Sequence, residues 1–218
     1  MKKMMSLLLF GSIALGCGST RTVVSMQGLD CQSCGRGVAE ALREQGGVED
    51  AQFNHSKAEI VVHHDAESVG IEKLLQAIEE QGYKALEGPG KGTYNPFPED
   101  PEGHDVAWLS KEGEVYASGS EFVAGKTTVV DFYAPWCGPC REVDRFLIER
   151  LREGGTFAVR KVNVVDWDTP VARQMGGTLE SLPYVKVYGP EGKLRDSFSG
   201  LNLKRLQKAI ESTEGGAQ

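Results

Sequence analysis

Five cysteines in 218 residues are too few for a disulfide-stapled miniprotein. After residue 20 no run approaches the roughly 20 apolar residues that a membrane span needs, which excludes a polytopic membrane protein. Positive charge is also scarce. With 24 Lys and Arg against 31 Asp and Glu, the formal net charge is −7, and the basic stripe of a nucleic-acid binder is missing. The imbalance is local: residues 21–87 hold 6 basic and 12 acidic side chains, residues 101–218 hold 15 and 17. What is present is enough chain for one large or two small domains, each able to bury a core.

Lys2 and Lys3 precede an apolar run from Met4 to Leu15 that is too short to span a membrane and reads as an export signal. The run ends at Ala14-Leu15-Gly16-Cys17, which resembles the lipobox of bacterial lipoproteins, with Ala14 and Leu15 in the reverse of the usual order. That resemblance implies a signal peptide over residues 1–17, lipidation of Cys17, and a mature chain anchored to a membrane on its extracytoplasmic, periplasmic side. Cysteine arithmetic points the same way, because without Cys17 four thiols remain as two C-x-x-C pairs.

Residues 88–103, GPGKGTYNPFPEDPEG, contain four glycines and four prolines and no apolar period. Such a stretch reads as a semi-extended linker between a domain over residues 21–87 and a larger one over residues 104–214.

The first domain reads as strand, helix, strand, strand, helix, strand, the βαββαβ order of the ferredoxin-like fold. Cys31-Gln32-Ser33-Cys34 falls between the first strand and first helix, where a helix N-terminus stabilises thiolates. Two soft thiolates at low coordination number select Cu(I), and also accept Zn(II) or Hg(II). Residues Thr22 to Leu86 resemble the heavy-metal-associated domain, with Gly28-Leu29-Asp30-Cys31-Gln32-Ser33-Cys34 at that family's metal loop and Gly82-Tyr83 at the loop facing it. The resemblance implies Cys31 and Cys34 as metal ligands, Leu29 as a loop anchor, and Asp30 as a charge beside the ion. His63 and His64 point to opposite faces of a strand and cannot easily share one site. They read as solvated strand-end histidines, and His55 and His104 read as non-ligands too.

In the second domain Thr128 to Tyr133, TVVDFY, is a buried-strand pattern followed by Trp136-Cys137-Gly138-Pro139-Cys140 and a helix with Val143, Phe146, Leu147 and Leu151 on one face. Cys137 at the helix start is the expected nucleophile, its thiolate favoured by the helix dipole, and Cys140 resolves the mixed disulfide. Residues Val106 to Ser212 resemble thioredoxin. The resemblance implies a thioredoxin fold, Trp136, Cys137 and Cys140 at the active site, Asp131 as the buried acid that manages the proton of Cys140, Lys161 as its charge partner, and Pro183 as the cis-proline facing the dithiol. Arg141 stands where that family commonly has Lys, a modest change of local charge.

The Gly-Pro spacer is the reducing choice, about −270 mV in thioredoxin against about −120 mV in an oxidant of the same fold, a gap of about 7 kcal/mol for two electrons. The expected function is therefore an exported thiol:disulfide reductase coupled to a soft-metal domain. It would act on its own Cys31–Cys34 pair or on metal-site cysteines of a client protein. Its implied partners are a protein disulfide substrate, a membrane reached through the lipid, and an extracytoplasmic electron donor, with no nucleic acid. The alternative is a copper or heavy-metal carrier whose thioredoxin-like domain mainly docks partners.

Overall fold

The computed structural model describes residues 18–214, so the signal segment and Cys17 lie outside the described residues. Among the described residues no helix is long and apolar enough to cross a membrane. The N-terminal domain runs β1 (Ser19–Gln27), α1 (Gln32–Arg43), β2 (Val48–Asn54), β3 (Glu59–Asp65), α2 (Ile71–Glu79) and β4 (Lys84–Glu87). Its strands form an antiparallel sheet in the order β2-β3-β1-β4, the ferredoxin-like arrangement that the element order implies. The helices lay Val38, Leu42, Leu74 and Ile78 against Val24, Met26, Ile60 and Val62 of the sheet. Leu29 is fully buried in this core, so the loop carrying Cys31 is pinned by a side chain two residues before it.

The C-terminal domain runs β5 (Val106–Ser110), β6 (Thr128–Tyr133), α3 (Gly138–Arg152), β7 (Ala158–Asn163), α4 (Pro170–Met175), a 3₁₀ turn (Gly176–Thr178), β8 (Tyr184–Tyr188), β9 (Leu194–Ser199) and α5 (Leu203–Glu214). The sheet order is β5-β7-β6-β8-β9, with β5, β7 and β6 parallel and β8 and β9 antiparallel to their neighbours. Every residue of β6 is buried, because it is the central strand with α3 and α5 packed near it, and this explains why Val129, Val130, Phe132 and Tyr133 dominate it, with Thr128 and Asp131 the polar members. Asn202 caps the start of α5 by accepting the N–H of Arg205 at 3.1 Å, and the Gly189–Gly192 segment closes the β8–β9 hairpin.

The histidine readings need one correction. His64 is buried rather than solvated, with Nε2 at 2.8 Å from Thr22 Oγ1 and Nδ1 at 2.8 Å from Val69 O, so both ring nitrogens are used. His104 also has partners, the carbonyls of Glu102 and Leu151.

Residues 88–103 carry no helix, and they are fastened along their length. Thr93 N donates to Met26 O at 2.8 Å, Leu29 N to Thr93 O at 2.9 Å and Asn95 N to Leu29 O at 3.1 Å. Gly90 N donates to the Glu59 carboxylate, and Lys91 N to Ser25 Oγ, which explains why Ser25 and Glu59 are buried. Further along, Phe97 packs on Tyr133 with centroids 4.7 Å apart. Gly92 is required by close approach: a Cβ there would sit 2.1 Å from Lys57 O and 2.5 Å from Ala58 O, backbone atoms that cannot retreat. Gly92→Ala is expected to lift the linker from the β2–β3 turn and cost roughly 1–3 kcal/mol, read as a lowered urea midpoint.

Candidate functional site: two dithiols across one cavity

Each C-x-x-C segment opens a helix in the same way. Cys31 is the N-cap of α1 and its Sγ accepts the Cys34 N–H at 3.3 Å; Cys137 is the N-cap of α3 and its Sγ accepts the Cys140 N–H at 3.2 Å. In both helices the first-turn N–H groups and the dipole face the first sulfur, the arrangement that stabilises a thiolate. Both pairs are disulfide-bonded in this structure. Ser33 Oγ lies 3.0 Å from Cys31 Sγ and supplies a second polar neighbour.

The two helix starts face each other. Cys31, Gln32, Ser33 and Arg36 of the N-terminal domain line one cavity of about 200 Å³ with Trp136, Cys137, Gly138, Pro139 and Leu182 of the C-terminal domain. Gln32 N donates to Trp136 O at 3.0 Å, so the N-terminal loop pairs through its backbone with the residue before Cys137. Arg141 ties the same loop down by donating to the carbonyls of Asp30, Asn95 and Pro135. On the far side, His55 Nε2 meets Asp166 Oδ1 at 3.0 Å and the His55 ring stands edge-on to Trp136 at 4.9 Å. Trp136 Nε1 donates to Val165 O at 2.6 Å. Val165 is a β-branched residue at φ +62°, a strained conformation that aims this carbonyl at the indole.

Asp131, in the strand that leads to the second C-x-x-C, is fully buried, and among the described residues neither carboxylate oxygen has a hydrogen-bond partner. Burial raises its pKa well above the ordinary carboxylate value, the Asp144 charge adds to the rise, and Lys161 opposes it. The β6–β7 register does set Asp131 beside Lys161. Lys161 acts on Asp131 through its charge, as expected, while its ion pairs are with Asp144 and Asp100, both at 2.9 Å. The physical reason is that α3 carries an acid on its buried face and the linker brings in another, so two carboxylates reach Nζ. Leu182–Pro183 is cis, at the edge of the same cavity.

Cys31, Trp136 and Cys137 therefore line one cavity, Cys34 and Cys140 are bonded to its two lining cysteines, and Pro183 follows the lining Leu182, while Asp131 and Lys161 are buried side by side in β6 and β7. Sequence reasoning missed Asp100, Asp144, Asn95 and His55, and undervalued Arg141. Only Asp144 left a usable signal: it sits four residues after Cys140, on the stripe that Val143, Leu147 and Leu151 bury.

Comparison with known proteins agrees with this division. The heavy-metal-associated domain matches residues 23–84, and thioredoxin matches residues 117–212. A copper chaperone CopZ of Staphylococcus haemolyticus is 34% identical over 61 residues, 28% of this chain and 90% of the relative. The thioredoxin of Gallus gallus is 32% identical over 101 residues, 46% of this chain and 88% of the relative. The chain belongs to both families. Among solved structures, a CopZ metallochaperone is 28% identical and covers 31% of this chain and all of its own, at a TM-score of 0.30. The metal domain and the thioredoxin domain each bring a C-x-x-C, and together they suggest metal binding and thiol–disulfide redox chemistry.

Asp131 supplies a pH test. Its folded pKa is raised, so the folded state holds a proton that the unfolded state loses, and its contribution to stability falls as pH rises from the ordinary carboxylate range through the folded value. Relative to the parent, Asp131→Asn is expected to gain stability with pH by up to about 1.4 kcal/mol per unit within that window, read from urea midpoints between pH 4 and pH 8.

Proposed function

We propose that this chain is an exported thiol:disulfide reductase, held at a membrane through a lipid on Cys17, whose thioredoxin domain keeps the metal domain's dithiol reduced. The observation that carries this reading is the shared cavity: Cys31 and Cys137 line the same space, with the metal loop's backbone bonded to Trp136. Outside the cytoplasm vicinal thiols oxidise, and a disulfide cannot ligate a metal, whereas two thiolates can. Restoring Cys31 and Cys34 is thus a precondition for binding, and a reductant docked on the same chain meets it without a diffusional encounter.

The metal is cargo. The donor set fits a soft, low-coordinate ion: two sulfurs at a helix N-terminus, with no cluster of three or more His, Cys, Asp or Glu ligands among the described residues. Cu(I) suits that set best, in keeping with the copper chaperone relative, and Zn(II) or Hg(II) also fit. Cys137 is the nucleophile and Cys140 the resolving thiol, with Asp131 as proton acceptor for Cys140. Trp136 and the cis Leu182–Pro183 segment form the substrate groove. A client's metal-site cysteines, presented on a similar loop, would enter the same groove, and an extracytoplasmic dithiol donor would recharge Cys137 and Cys140.

The test starts from the fully oxidised chain supplied with a limiting dithiol, quenched by alkylation at intervals, with Cu(I) uptake followed by chelator competition. Reduction of Cys31–Cys34 is expected to slow by roughly 100-fold in Cys137→Ser, because a docked thiol works at millimolar effective concentration or better. Copper uptake should slow with it. An unchanged rate in that variant overturns the proposal and leaves a metal carrier with a docking domain.

A further inference from the structure

The two sulfurs of the metal loop are not equivalent as seen from the thioredoxin domain. The contacts across the interface converge on Cys31. A Cβ built on Gly138 has as its three nearest neighbours Cys31 Cβ at 2.9 Å, Asp30 O at 3.4 Å and Cys31 Cα at 3.8 Å, so the residue after Cys137 rests directly on Cys31. The cavity lining includes Cys31 and Cys137 and neither of their disulfide partners. Both flanks of Cys31 are bonded across the gap, Gln32 N to Trp136 O and Asp30 O to the Arg141 guanidinium.

Arg141 is unusual in its surroundings. It is 8% exposed, and its Nη groups donate only to main-chain carbonyls, taken from the metal loop, the linker and its own domain. The guanidinium stands 5.9 Å from the Tyr94 ring centroid and 5.3 Å from that of Phe97, both linker residues, and Nε has no partner among the described residues. Burying a cation with no carboxylate bonded to it is costly, and the planar fork is the feature that lets one side chain reach three carbonyls at once. That fork fixes Asp30, the residue before Cys31, relative to the helix that Cys137 caps.

We propose that Arg141 is a positioning residue that presents Cys31, and not Cys34, to Cys137, so that internal electron transfer passes through a Cys31–Cys137 disulfide. This rests on the reading that the two dithiols exchange with each other. In the first step the Cys137 thiolate attacks Cys31 Sγ; the Cys31–Cys34 bond breaks, and Cys34 leaves with the electron pair and takes a proton from solvent. In the second, Cys140 gives its proton to the Asp131 carboxylate, the acceptor in the functional reading above, and attacks Cys137 Sγ. The Cys31–Cys137 bond breaks, and Cys31 departs as a thiolate that already faces the Cys34 N–H and Ser33 Oγ. Two electrons have moved from Cys137/Cys140, now a disulfide, to Cys31/Cys34, now a dithiol. A stabilised thiolate leaves faster, so the second step runs forward.

The experiment uses full-length Cys140→Ala prepared with one disulfide per chain, quenched in acid, alkylated, and mapped by peptide mass spectrometry without reduction. The Cys31–Cys137 linkage is expected to exceed Cys34–Cys137 by roughly tenfold or more, independent of protein concentration. Adding Arg141→Ala should bring the ratio toward one, and Arg141→Lys, which keeps the charge but loses the fork, should lower it as well. A change in that ratio is not produced by a loss of overall stability. Predominance of Cys34–Cys137 overturns the assignment of Cys31 while leaving exchange between the domains intact. Absence of any linkage to Cys137 overturns the functional reading beneath it. A ratio unmoved in both Arg141 variants removes Arg141 from the positioning role.

Discussion

A guanidinium buried among three carbonyl groups joins the two halves of this chain. Arg141 follows the second cysteine of its C-x-x-C, and through it the loop before the other C-x-x-C, the linker and the helix start share one anchor. Backbone carbonyls satisfy a cation without neutralising it, so the contact is strong only while all three stay in register. The interface is therefore better described as a lock with one tumbler than as a broad adhesive surface. Further contacts, among them Gln32 with Trp136 and His55 with Asp166, close around it from either side.

Below that interface lies a second buried charge system. Lys161, 1% exposed, is shared between Asp144 on α3 and Asp100 of the linker, while Asp131 stands beside it with no hydrogen-bond partner among the described residues. A lysine paired with two carboxylates has little charge left over for a third. Burial therefore prevails at Asp131 and raises its pKa well above the usual carboxylate range, which makes its carboxylate a stronger base. Asp131 is thus tuned by its own burial, by Asp144 on α3 and by Lys161 on β7, and Lys161 is in turn paired with the linker.

The architecture was legible in the sequence because it follows from periodicity. The alternation in β1, the apolar run of β6 and the helical spacing in α2 and α3 are local signals, and the order of elements turns them into two known topologies. Both C-x-x-C pairs could be placed at helix starts for the same reason. What the sequence concealed was long-range. Arg141 looked like a small change of charge because its partners lie at residues 30 and 95, and no spacing rule connects those positions. His64 looked solvated because a strand-end position says nothing about Thr22 and Val69, which enclose its ring. The ion pair of Lys161 with Asp100 is hidden because Asp100 lies in a stretch whose composition announces only an absence of regular structure. Composition records that residues 88–103 form no helix; it does not record which backbone groups they bond.

The position of Asp100 bears on where the C-terminal folding unit begins. It reaches Lys161 Nζ at 2.9 Å and also accepts the Trp108 indole N–H at 3.2 Å, so part of the C-terminal domain's interior is completed by the connector. Separate modules on a string can be shuffled between genes without loss. Here a cut at the usual boundary would strip the second module of a carboxylate it uses internally, and a generic spacer of equal length would not restore it. The folded unit is the domain together with its leash.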